Sequence, residues 1–287
     1  MDAAIASGVT LMTICKEENP LPTVTSTDGT KIAFDRVGSG PAVILVNGAT
    51  AYRAFDLSMT HLAELLGKHF TVYNYDRRGR GDSGDTRPFA KEREIEDLQA
   101  LVEAAGGKAM VFGISSGAVV SLDATAVTPG ITHVAVYEPS LIVDDSRQSV
   151  PADYAEHLMT LAAEGKRDEA VEYFLTQAVG IPAEYIAGMK QDQAMWSGVT
   201  GVAHTLAYDA AFVGDVMQGK PLPPDRWARV TVPVLVVGGG ASDAWIHHGA
   251  DALANVLPHA SRHTLAGQTH MVDPNALAPV LIEFFQQ

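Results

Sequence analysis

The sequence predicts an α/β domain, a mostly parallel sheet with helices on both faces and a helical cap inserted after the sixth strand. Runs that are apolar throughout, such as "PAVILV" and "VPVLVV", fit strands buried on both faces. Segments of helical period alternate with them, which makes successive strands parallel with a helix crossing between each pair. The alternation stops after Pro139 and resumes near Val232, leaving a long, mainly helical stretch between.

In chain order, residues 1–20 read as a leading arm. "TVTSTDGTKIAFDRVG" alternates around Asp28-Gly29 and reads as a hairpin. Pro41 to Thr50 carries a buried strand, and the helix after it sets Leu57, Leu62, Leu65 and Leu66 on one side. Phe70 to Asp76 is a strand, Glu92 to Ala105 a helix, "AMVFGI" a strand, Ala118 to Thr128 a helix and "HVAVYEP" the sixth strand. Residues 140–225 form the cap, with helical character from Tyr154 to Gly219 and a Pro-rich return at "GKPLPPDRW". A strand at "VPVLVVGGG", a helix near Ala250 to Leu257, a strand at "SRHTLAG" and a helix at "LAPVLIEFF" complete the core, which comprises 21–139 and 226–287.

Charge and composition narrow the function. A formal net charge of −14 opposes nucleic acid, which needs a basic footprint, and opposes anionic lipid. A small-molecule substrate is the expected partner. Cys15, the one cysteine, cannot form an internal disulfide, and nothing basic beside it would activate a thiolate. The first twenty residues show neither the basic start of a signal peptide nor a membrane span, so a cytoplasmic location is expected.

"GISSG" puts Gly113, Ser115 and Gly117 between a strand and a helix. A turn this sharp strains its central residue, and glycines two positions either side remove side chains that would collide. It lifts the Ser115 hydroxyl to the amino end of a helix, where the dipole favours a developing anion and the Ser116 N–H points at it. A plain glycine turn capping a helix has the same five residues. The surroundings decide between the two.

"LVNGAT", "YDRRGRGDSG", "GISSG" and "GQTHMVDP", in that order, resemble the four signature segments of the α/β-hydrolase family. The second is carried by Asp76, Arg78, Gly79, Gly81 and Ser83, and its "RGD" is given no adhesive meaning. Asn47 stands where the family usually has histidine. The resemblance implies Ser115 as nucleophile, His270 as base and the N–H groups of Ala49 and Ser116 as the oxyanion hole. Two carboxylates compete for the acid. Asp243 follows the seventh strand, the commoner family position, but also suits a helix cap. Glu138 ends the sixth strand before Pro139, where some members carry the acid, and local context sets it marginally ahead.

His247 and His248 are adjacent and cannot face one metal together, so neither a metal nor a cofactor is expected. Thr50 and Tyr52 lie where side-chain contacts to substrate are available, and Met195, Trp196 and Tyr208 are the cap residues proposed to touch it. The expected activity is cleavage of an ester or lactone of a small, mainly apolar substrate through an acyl-serine. A haloperoxidase or perhydrolase, an acyltransferase, and a non-catalytic binder on the same scaffold are the alternatives.

Overall fold

The computed structural model describes residues 21–287, so the leading arm and Cys15 lie outside the described residues. The eight strands are β1 (Thr23–Thr25), β2 (Lys31–Gly38), β3 (Ala42–Val46), β4 (Thr71–Tyr75), β5 (Ala109–Ile114), β6 (Ile131–Tyr137), β7 (Val234–Gly239) and β8 (Ala260–Leu265). They form one sheet in the order β1-β2-β4-β3-β5-β6-β7-β8. The pairs β1–β2 and β2–β4 are antiparallel and the rest parallel.

Every residue of β3 and β4 is buried. Side chains alternate across a strand, so Val43 and Leu45 join one core cluster while Ile44 and Val46 join the other. The first cluster is closed by α1 (Leu57–Leu66) and by a last helix, Pro274–Phe285; the second by α2 (Lys91–Ala104) and α3 (Ser116–Thr125). Each fully buried Val, Leu or Phe side chain contributes roughly 1.5–3 kcal/mol. Along α1 the buried positions are Met59, Leu62, Ala63 and Leu66. Leu57, expected on that face, is 70% exposed, because at about 100° per residue it points away from Met59, Leu62, Ala63 and Leu66, while Asp56 caps the helix by accepting from the Ser58 and Met59 N–H groups.

Between β6 and β7 run α4 (Tyr154–Ala163), α5 (Arg167–Phe174), a π-helical turn (Leu175–Val179), α6 (Ala183–Met189), α7 (Gln193–Gly201), a 3-10 turn (Ala203–Thr205) and α8 (Leu206–Val213). The Pro-rich return is pinned to α3: Trp227 Nε1 donates to Asp123 Oδ1 at 2.7 Å, and Arg226 pairs with Asp123 at 3.1 Å. After β7, α9 spans Ala244–Val256 and α10 is Pro274–Phe285. Two helices start earlier than expected, α3 at Ser116 and α9 at Ala244. Ser116-Gly117 at one start and His247-His248 at the other interrupt the apolar periodicity there. Among the described residues, no helix is long and apolar enough to cross a membrane.

Candidate active site

Ser115 lies between β5 and α3 with φ 58° and ψ −125°, outside the ordinary regions for a side-chain-bearing residue. The adjacent glycines permit this. A β-carbon at Gly117 would lie 2.4 Å from the Val46 carbonyl oxygen, and one at Gly113 would lie 2.5 Å from that of Gly117. Backbone therefore packs on backbone around the bend, and the hydroxyl stands clear of the sheet. Ser115 Oγ lies 3.1 Å from Ser140 Oγ. Ser140 went unnoticed in the sequence, since a serine after "EP" belongs to no pattern.

Glu138 follows β6 directly and also has a positive φ, 42°. Its side chain is buried and fully engaged. Oε2 lies 2.9 Å from His270 Nδ1, while Oε1 accepts from the Gly239 N–H at 2.7 Å and the Ser242 hydroxyl at 2.5 Å. Burial alone would raise this carboxyl's pKa. Hydrogen bonds from His270, Ser242 and Gly239 outweigh it and hold the group below the usual carboxylate range. An ionised Glu138 fixes the His270 ring with its proton on Nδ1 and turns Nε2 into the available acceptor.

Asp243, the competing carboxylate, is exposed at the amino end of α9 and makes no side-chain hydrogen bond among the described residues. The structure brings Glu138, and not Asp243, to His270. The strand-end position delivers the carboxylate directly, whereas Asp243 lies beyond the β7 turn whose Ser242 and Gly239 serve Glu138 instead.

The loop after β3 supplies the opposite wall. Thr50 has φ 62° and its hydroxyl donates to the Ala49 carbonyl at 2.6 Å. Asn47 is buried, with Nδ2 3.5 Å from Asn74 Oδ1. Asp76 braces the loop, accepting from the Arg53 N–H at 2.7 Å and the Asp82 N–H at 2.9 Å. Arg78 is tied to Asp97 at 2.7 Å and Asp28 at 2.9 Å. Beneath the loop Arg80 Nη1 donates to the Gly48 carbonyl at 2.5 Å, and Arg77 Nη1 to the Asn47 carbonyl at 3.2 Å. Both guanidiniums meet Asp209 of α8, each at 2.6 Å, and Arg77 also pairs with Glu94. Burial would raise Asp209, but the two arginines prevail and hold it below the usual range.

These pieces enclose a cavity of about 740 Å³, a size suited to a small-molecule ligand. Ser115, Ser116, Ser140, Glu138, His270, Ala49 and Thr50 line it. The non-glycine residues with positive φ among the described residues are Thr50, Ser115 and Glu138, so all three lie on this one cavity. Its roof is Tyr154, Phe174, Ala178, Val179, Val213 and Met217. The three cap residues expected to touch substrate do not line it. Trp196 is buried inside the helical segment with Nε1 on Asp168 at 2.7 Å, and Met195 shares its short helix. Tyr208 stacks on Phe89 at 3.9 Å and donates to Asp85. Tyr52 stacks on Phe55, and it is Phe55 that reaches the cavity. Among the described residues no group of three or more His, Cys, Asp and Glu side chains gathers as a metal site.

The model of the alpha/beta hydrolase family matches residues 43–280, and the chain belongs to that family. An alpha/beta hydrolase from Sphaerobacter thermophilus DSM 20745 has 55% identity and a TM-score of 0.83, over 92% of this chain and all of that one. The enol-lactonase from Burkholderia xenovorans LB400 shares the fold at 21% identity and a TM-score of 0.66, covering 93% of this chain and 100% of its own. The Bacillus subtilis (strain 168) protein named "Uncharacterized hydrolase YraK" is 34% identical over 119 residues, 40% of this chain and 43% of that protein's length.

Proposed function

We propose that this hydrolase cleaves an ester or lactone of a small, mainly apolar substrate through an acyl-Ser115 intermediate. The observation that carries the reading is the Glu138–His270 pair at 2.9 Å on the same cavity as the strained Ser115. In the first step the Ser115 hydroxyl proton passes to His270 Nε2 as Oγ bonds to the acyl carbon. The carbonyl π pair moves onto oxygen, and the Ser116 and Ala49 N–H groups receive that charge. The oxyanion then collapses, the bond to the leaving oxygen breaks, and His270 returns the proton to it. Water repeats the sequence on the acyl-enzyme. Glu138 stays ionised and stabilises the imidazolium. Before attack the Ser115 hydroxyl must turn from Ser140 to His270.

The cavity lining favours uncharged acyl groups. Its roof is mainly apolar, no lysine or arginine lines it, and the carboxylates Asp56 and Asp243 on its wall, which form no ion pair among the described residues, repel an anionic substrate. A fluorophosphonate probe tests the reading: it is expected to label the wild-type chain and not Ser115→Ala, with the burst from p-nitrophenyl esters lost in the variant. Undiminished labelling of Ser115→Ala would remove the proposed nucleophile.

A further inference from the structure

We propose that Asp209, carried by the helical segment, is a positioning residue that aims both donors of the oxyanion hole. The inference rests on Ser115 being the nucleophile and deepens that reading: it makes the seating of α8 on the core a condition of fast chemistry.

The geometry is specific. Asp209 Oδ1 accepts from Ser116 Oγ at 2.7 Å and from Arg77 Nη1 at 2.6 Å, and Oδ2 accepts from Arg80 Nη2 at 2.6 Å. Ser116 is the residue whose own N–H is one proposed donor. Arg80 continues through Nη1 to the Gly48 carbonyl at 2.5 Å. That carbonyl belongs to the same planar peptide as the Ala49 N–H, so fixing the oxygen fixes the direction of the N–H. Arg77 holds the preceding peptide through the Asn47 carbonyl at 3.2 Å. Arg80 Nε also donates to Thr205 of the helical segment at 3.0 Å. One carboxylate thus braces the elbow on one side and the glycine loop on the other.

Stability does not account for this arrangement. The side chains of Arg77, Arg80 and Asp209 are at most 5% exposed, and ion pairs buried this deeply add little net free energy over apolar packing. What they do supply is fixed direction. Oxyanion stabilisation depends on donors already aimed before charge develops, because donors that must reorient spend that energy during the reaction.

The test compares Asp209→Asn and Ser116→Ala with the wild type on a neutral p-nitrophenyl ester. Each is also titrated with a trifluoromethyl ketone, which forms the oxyanion, and with the isosteric amide, which does not. In Asp209→Asn kcat is expected to fall about 10- to 100-fold, less than the roughly 100- to 1,000-fold lost when an oxyanion donor is removed outright. KM should stay within about threefold, as for an interaction made only in the transition state. Ketone affinity should fall in step with kcat/KM while amide affinity holds. Ser116→Ala deletes the hydroxyl but keeps the backbone N–H, and should lower kcat and ketone affinity about three- to tenfold, the worth of one ordinary hydrogen bond, because Arg77 and Arg80 still hold Asp209. If Asp209→Asn does not fold, Ser116→Ala carries the test alone. Folded variants with wild-type kcat and ketone affinity overturn the inference while leaving Ser115 intact. A wild-type chain that the fluorophosphonate does not label at Ser115 overturns the serine reading and this inference together.

Discussion

The floor and the roof of the cavity are built by opposite means. On the floor charged side chains are locked to one another and to backbone: Glu138 uses both oxygens and Asp209 ties three side chains together. Three residues there adopt backbone angles that cost about 1–3 kcal/mol each, held by their surroundings. The roof is aliphatic and aromatic contact, from Tyr154, Phe174, Val179, Val213 and Met217, with no such constraint on direction. A floor of that kind fixes atoms to a fraction of an ångström, as bond-making requires; a roof of that kind tolerates a range of shapes. Substitutions below should therefore change kcat, and substitutions above should change which substrate is preferred.

The sharpest way to break this division is to exchange the two carboxylates' fates. Glu138→Gln keeps the shape but lets His270 settle in the wrong tautomer, and kcat should fall about 10⁴-fold, the loss seen when a triad acid becomes its amide. Asp243→Asn should change kcat by less than about tenfold, as expected for a group that binds no reacting partner. Steady-state kinetics on one neutral ester decides. A large loss in Asp243→Asn with a small one in Glu138→Gln would reverse the assignment and place the acid on the α9 side.

The same division explains what could be read without coordinates. The strand-end part of the floor is legible because its residues are tied to local backbone: "GISSG" needs glycines at two fixed offsets, and Glu138 sits where a buried strand runs out against a proline. Asp243 competes because a residue after the next strand is equally close along the sheet, and what separates the two is the contact of Glu138 with His270, held by bonds from Ser242 and Gly239. The roof was not legible. Met195, Trp196 and Tyr208 are apolar or aromatic like Val213 and Met217, but which side of a helix faces the cavity depends on how helices pack on one another, and no local pattern records that. Asp209 was missed for a related reason: a lone aspartate in "LAYDAAFV" signals nothing until α8 is laid over Arg77 and Arg80, well over a hundred positions earlier.

A roof substitution sharpens the comparison from the other side. Met217→Ala removes buried apolar surface facing the cavity. It should shift the preference between a short and a branched acyl ester by about tenfold, the worth of one or two methylenes in an apolar pocket, with kcat for the best substrate nearly kept. Met195→Ala should leave that preference where it was, since Met195 does not line the cavity. A panel of p-nitrophenyl esters graded by acyl size measures both.

The smallest expected effect concerns protons. Asp28 clamps Arg78, and Arg78 anchors the loop that also carries Arg77 and Arg80. Burial pushes the Asp28 carboxyl up, but its hydrogen bonds to Arg78 and Thr30 win and lower it to about 2. A carboxylate depressed in the folded state binds fewer protons there than in the unfolded chain between the two pKa values, so its stabilisation is complete above about pH 4 and fades as pH falls toward 2. Asp28→Asn should therefore melt a few degrees below wild type at pH 7, and the gap should close on acidification through that window. Met217→Ala exchanges no proton on folding, so its deficit should stay constant over the same range. Melting curves from pH 7 to pH 2 distinguish the two behaviours: a gap for Asp28→Asn that does not narrow would mean that the clamp acts through packing, and that the floor's charges contribute less to its rigidity than their bonds suggest.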